Sequence, residues 1–293
     1  MNQLTGLLYG AFLGDGFALG SHWIYDTSLI ANEFGEIASI VAPLPSTYHK
    51  TKKKGDFTHY GDQSLVVLKS VSEMDGFYLE KLKQDWLAYM SDYDGYLDKA
   101  SKESLELLSV ENNLGSPSDE LGGFAILAPI IVKYHQDPRL KEYIEATIRL
   151  THNNDLVIEM AIFYTNVILK ILAGARPYDA IEALAPRAGK LINQSFQAAV
   201  KNINDSAVEF ITKNGQSCHG KHAFPSSLFV ILKNQDHFKA ALTDNVMAGG
   251  DSAARGMIIG MILGAYLGYD TLPKEWLNEL NHLPEINRYA ALL

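Results

Sequence analysis

Apolar positions along this chain recur at helical intervals. Leu4, Leu7, Leu8, Ala11 and Phe12 fall on one helix face, and Leu79, Leu82, Trp86, Leu87 and Met90 repeat the pattern. Residues 156–172 read as a long helix. Residues 191–213 read as another that stops at Asn214-Gly215, and 225–232 and 238–247 as two more. Ser116-Pro117-Ser118-Asp119-Glu120 reads as a helix start, with Pro in the first turn and carboxylates at the positive end of the dipole. Strand signals are poor. The best is 37–41, where Ile37, Ile40 and Val41 are β-branched before Pro43 and Pro45 end the run. Residues 42–60 are polar and irregular, long enough to be a functional loop. No 20–50-residue repeat and no composition shift divides the chain, so the expectation is one all-α domain over 1–293.

Composition narrows the function classes. With 293 residues, 47% hydrophobic and 20% charged, the chain can bury a sizeable core. A net charge of -9 argues against nucleic acid or an anionic membrane as partner. The one basic run, Lys52 to Lys54, reads as a solvated loop. The N-terminus lacks a basic signal-peptide opening, and the apolar stretch 256–269 is shorter than the ~20 residues a membrane helix needs. A single cysteine, Cys218, excludes an intrachain disulfide. A cytoplasmic protein is the simplest expectation, and the sequence does not fix its oligomeric state.

Four segments carry candidate chemistry. Gly14-Asp15-Gly16 and the polar, aromatic stretch Ser21-His22-Trp23-Ile24-Tyr25-Asp26 follow the first helix; taken alone, a helix end with packed aromatics is the favoured reading. His59-Tyr60-Gly61-Asp62-Gln63-Ser64 opens a helix, where Asp62 or Ser64 would serve as caps or as site residues. Gly249-Gly250-Asp251-Ser252-Ala253-Ala254-Arg255 precedes an apolar helix. Gly256, Gly260, Gly264 and Gly268 recur there every four residues. Each interior glycine costs about 1 kcal/mol against alanine, so the stripe needs close helix packing to justify it. The fourth segment is scattered: Thr151-His152-Asn153-Asn154-Asp155, and Cys218-His219-Gly220-Lys221-His222. The latter lacks a second ligand pair for zinc, and incidental placement is the favoured reading.

These segments, in this order, resemble the ADP-ribosylglycohydrolase family over nearly the whole chain. Gly14-Asp15, Ala18-Leu19-Gly20, Thr151-His152, Gly249-Gly250-Asp251 and Gly264-Ala265-Tyr266-Leu267-Gly268 carry the likeness, and the segments around His22, Gly61 and Gly250 look like its crystallin-J1 branch. The resemblance implies an all-α fold with a cleft holding two magnesium ions, whose ligands come from a Thr-Asp-Asp and an Asp-x-Asp-Thr segment. Here those become Gly61-Asp62-Gln63 and Asp251-Ser252-Ala253-Ala254, leaving one carboxylate in each. Two divalent ions need more charge than that. The expectation is one weakly held magnesium ion on Asp62 and Asp251, or none.

On this reading Asp62 and Asp251 share a cleft as the catalytic pair. Asp15, His22, Tyr25, Gln63, His152, Gly249, Gly250, Ser252 and Arg255 contact a small, ADP-ribose-like ligand. Arg255, one helical turn after Asp251, is expected to neutralise both carboxylates in place of the metal. The implied activity is hydrolysis of an ADP-ribosyl or related glycosidic bond. The alternative is an inactive ligand-binding or crystallin-like protein on the same scaffold.

Overall fold

The computed structural model describes residues 2–110 and 113–293, and among them no strand forms. The centre of the fold is one helix pair. The first helix, Asn2–Ala18, lies against Ser252–Leu267 along nearly its whole length, and both are buried almost all round. Glycines make this possible. Gly6, Gly10 and Gly14 interleave with Gly264, Gly260 and Gly256, and a Cβ at any of the six would collide with the partner's backbone. The stripe read from the sequence is thus the seam along which the two helices touch. Around this pair the remaining helices form one continuous apolar core.

Several boundaries differ from the expected ones. Residues 191–213 make two helices, Lys190–Lys201 and Ala207–Asn214. Ser206 starts the second with a capping box to Glu209, which competes with continuation. Gly215 ends it at φ +110, as expected from Asn214-Gly215. Residues 225–232 belong to a longer helix, Gly220–Lys233, with Pro225 inside. No helix begins at Ser116-Glu120. That stretch is extended, with isolated bridges from Ser116 to His152 and from Glu120 to His219, and the helix starts at Gly122. Ser116 and Ser118 spend their hydroxyls on the local turns instead, accepting from Ser118 N and Glu120 N. The strand expected at 37–41 is irregular chain, although Ile37 and Ile40 are buried. It has no neighbouring strand to pair with.

The 42–58 segment has no helix or strand, as expected, but it is pinned down. Lys52 is not solvated: its side chain is 12% exposed and paired with Asp62. Only Lys53 and Lys54 face outward, Lys54 against Glu279. No helix among the described residues is long and apolar enough to cross a membrane.

Candidate functional site

Three helix beginnings and one helix end meet at a single place. Asp15, in the last turns of the first helix, accepts the backbone N–H (2.7 Å) and hydroxyl (2.6 Å) of Thr58. Thr58 in turn caps the helix His59–Ser72, a role the sequence had left to Asp62 or Ser64. Asp251 heads the glycine-striped helix without capping it. Asp98 caps Lys99–Ser109, its Oδ1 accepting from Ser101 N at 2.8 Å. All four residues are buried, and so are His22, His59, Tyr60, Glu120 and His152.

The chain turns sharply at Trp23 to build this place. Trp23 has φ +62, an unfavourable conformation for a bulky residue. Its N–H donates to Gly250 O, and Gly250 N–H donates to Ile24 O, both at 2.8 Å. Gly249 and Gly250 also have positive φ, and Ile24 and Gln216 press against them, leaving no space for a side chain. The double glycine and the strained tryptophan thus lock onto one another. Trp23 stacks on His22 and His49 and meets Tyr48 and Tyr96 edge to face, at 5.6 and 5.1 Å. A cavity of about 200 Å³ opens under this wall, bounded also by Tyr25, Tyr60, Asp98, Glu120 and Cys218. Tyr25, Tyr48 and Tyr96 stand partly exposed at its mouth.

Several buried polar atoms here make no hydrogen bond within the protein: His22 Nε2, both ring nitrogens of His59, Asp98 Oδ2, Glu120 Oε2, His152 Nε2 and Asp251 Oδ1, although His59 Nε2 and Asp98 Oδ2 stand within ion-pair distance of each other. Buried polar groups are nearly always satisfied, so such a concentration marks a place built for ligand or ordered water. His22 accepts from Ala253 N at Nδ1 (3.2 Å), which leaves its proton on Nε2. Its 3.6 Å approach to Asp251 Oδ1 is therefore not an ion pair, and burial lowers its pKa well below the usual value. Burial likewise holds His152 neutral, down to about 4.

The carboxyl groups are driven apart. Burial raises Glu120 to about 8, helped by the negative charges of Asp98 and Asp251. Burial also opposes the charge on Asp98, but nearby His59 outweighs it and holds Asp98 well below the carboxylate range. His59 Nε2 lies 3.3 Å from Asp98 Oδ2, and Asp98 raises the His59 pKa against the pull of burial. Asp251 and Asp15 are each raised to about 6, mainly by burial. One protonated carboxyl and one ionised carboxylate thus face the same cavity at neutral pH.

The sequence-based candidates divide. Tyr25 lines the cavity directly. Tyr60, also in its wall, donates to Asp251 at 3.4 Å, and His22 and His152 are buried beside these groups. Ser252 is buried with its hydroxyl unpartnered. Asp62 is held elsewhere: Lys52 Nζ (2.5 Å) and Tyr93 hydroxyl (2.6 Å) bind the same oxygen, and both residues line a second pocket with Tyr89, Asp92 and Asp94. No hydrogen bond or ion pair joins Asp62 to Asp251 among the described residues. Gln63 is structural, accepting from Trp86 Nε1 (2.8 Å) and donating to Ser101 (3.2 Å).

Arg255 does not bridge the two carboxylates. It is fully buried and donates to Asn245 Oδ1, Asn245 O, Gln216 O and Gly249 O, at 3.0, 3.4, 3.2 and 2.5 Å. Asp251 feels it only through space, as a charge that lowers its pKa. The reason is geometric: the carbonyl oxygens of Gly249, Gln216 and Asn245 converge on the guanidinium, which satisfies those first.

His219 pairs with Asp119 and His222 with Ser217, so the Cys-His-x-x-His run is not gathered around a metal. Among the described residues no group of three or more His, Cys, Asp or Glu is arranged to hold an ion. The magnesium pair implied by the resemblance does not fit these side chains. Asp62 is already neutralised, the Gln63 amide is engaged and Ala253 offers a methyl group. Sequence reasoning missed Asp98 and Glu120. Their only signal was that each closes a run bearing several carboxylates, Ser91-Asp92-Tyr93-Asp94-Gly95-Tyr96-Leu97-Asp98 and Ser116 to Glu120.

Comparison with known proteins agrees with this architecture. The chain is 23% identical to Crystallin J1A and 22% identical to Crystallin J1B of Tripedalia cystophora; each alignment covers 97–98% of this chain and 94% of the crystallin. It is 25% identical to the ADP-ribosyl-[dinitrogen reductase] glycohydrolase of Rhodospirillum rubrum over 48% of this chain and 44% of that one. A solved structure described as an ADP-ribosylglycohydrolase-related protein complex superposes with TM-score 0.74 at 18% identity, covering 99% of this chain and 96% of that chain. The sequence model for ADP-ribosylglycohydrolase matches residues 1–293, and the protein belongs to that family.

Proposed function

We propose that this protein hydrolyses an ADP-ribosyl or related glycosidic bond in the cavity beneath Trp23 and does so without a magnesium pair. The observation that carries this is the pairing of Glu120 and Asp98 in one aromatic-walled cavity, one carboxyl protonated and the other ionised near neutral pH. Titratable groups pushed apart in this way mark distinct catalytic roles. Glu120 donates its proton to the leaving nitrogen or oxygen as the bond to the anomeric carbon breaks and its electron pair departs. Asp251, raised to about 6, takes a proton from the attacking water, and the ionised Asp98 supplies negative charge toward the oxocarbenium-like centre. The rings at the mouth offer a surface for a flat or apolar part of the ligand. On this reading Asp251 keeps the catalytic part expected of it, while Asp62 serves to hold Lys52.

A second reading has its own support. The engagement of Asp62 by Lys52 and of Gln63 by Trp86 and Ser101 suits a scaffold that binds without turnover, as the likeness to the J1 crystallins also suggests. Incubation with ADP-ribosylated protein and with nucleoside glycosides, followed by mass spectrometry of released sugar, separates the two. Release that the Glu120→Gln variant lacks supports hydrolysis. Saturable binding of ADP-ribose without any release supports the second reading.

A further inference from the structure

Lys52 is the only cation of the basic run that turns inward, and it meets the carboxylate that the family pattern would give to a metal. Its ammonium lies 2.5 Å from Asp62 Oδ2, the oxygen that also accepts from the Tyr93 hydroxyl, and 5.1 Å from the Tyr93 ring centroid. The two side chains are 12% and 2% exposed. Charge accounts for the match. A divalent ion needs several carboxylates. Gln63 and Ala253 stand where the resemblance implies two carboxylates, and a single positive charge balances the one carboxylate of Asp62. The ammonium satisfies that charge with a donor bonded to the chain itself, and the ring adds a favourable face.

We propose that the Lys52 side chain replaces the divalent cation at Asp62 and thereby ties the cavity's aromatic wall to the helix His59–Ser72. Lys52 N–H donates to His49 O at 3.1 Å, and Thr51 Oγ1 reaches Asp94 O at 3.0 Å. Tyr48 and His49, on the same segment, pack on Trp23. The family's ion has become a covalently attached one, and the loop that carries it has become part of the site. Lys52 acts as a positioning residue: it touches the wall segment and Asp62, not the cavity. This inference does not depend on turnover, so failure to detect hydrolysis leaves it standing.

The test uses thermal unfolding of the full chain at constant ionic strength. Wild-type protein is expected to show no shift with Mg²⁺. Lys52→Ala should melt lower, and either Mg²⁺ or methylammonium should restore part of the loss, whereas tetramethylammonium, too large for the gap, should not. Lys52→Arg, which keeps the charge, should stay insensitive to Mg²⁺. Equal Mg²⁺ stabilisation of wild type and Lys52→Ala would overturn the proposal, as would a folded Lys52→Ala that neither cation stabilises. If Lys52→Ala does not fold, calorimetry of the wild type decides: saturable Mg²⁺ binding refutes the replacement, and its absence together with a Mg²⁺-insensitive Lys52→Arg supports it.

Discussion

Replacing Arg255 by methionine should destabilise the protein by about 4 kcal/mol. Its guanidinium is fully buried and donates to four acceptors, three of them backbone oxygens in or beside the turn that supports Trp23. A buried acceptor left without its donor costs roughly 1–3 kcal/mol, and breaking a buried charged arrangement roughly 3–5 kcal/mol overall, so the individual losses are not summed. For a chain of this size each kcal/mol shifts Tm by about 2 °C, giving a fall of roughly 8 °C. The effect on the site has a definite sign. Arg255 lowers the pKa of Asp251, so without it Asp251 rises further above about 6 and the protonated acid gains population. Lysine at this position keeps the charge but not the fork of donors, and should lie between the two. Urea and thermal unfolding measure the loss. A methionine variant within about 1 kcal/mol of wild type would refute the account of the 249–250 turn.

Glu120 makes stability depend on pH. Its folded pKa of about 8 lies above its ordinary value of 4.5, so the fold prefers the protonated acid. The stability this gives is fully present below the ordinary value and lost as pH rises through about 8. Glu120→Gln should therefore flatten the unfolding free energy between those limits, and an unchanged slope would count against the assignment. At Trp23, where φ is +62, glycine should be more stable than alanine by about 1 kcal/mol although it removes no fewer contacts, since only glycine relaxes there. Both variants should lose ligand binding, and equal stability of the two would show that the turn is not strained.

Much of this architecture could be read from the chain because its signals are local or periodic. The glycine stripe announced a close helix seam, and the structure places Gly6, Gly10 and Gly14 on the other side of it. What escaped was set by contacts distant in sequence. Asp98 and Glu120 stand on either side of the helix Lys99–Ser109, and nothing in either segment reveals that folding brings both to Trp23. Lys52 looked like a surface residue because its neighbours are lysines; its partner stands ten residues on, inside a helix. Arg255 was expected to neutralise Asp62 and Asp251, but most of its donors went to carbonyl oxygens that no side-chain pattern encodes. The extended run at 116–120 carries helix-start residues whose hydroxyls serve turns instead.

The most direct test of the account is the rate of sugar release from an ADP-ribosyl glycoside in the presence of EDTA, wild type against Glu120→Gln. General acid catalysis contributes typically about 10²–10⁴-fold. The account predicts that wild-type turnover survives chelation and that the glutamine variant falls by roughly that factor while still binding the ligand. Turnover that EDTA abolishes and Mg²⁺ restores, or a glutamine variant as active as wild type, would contradict it.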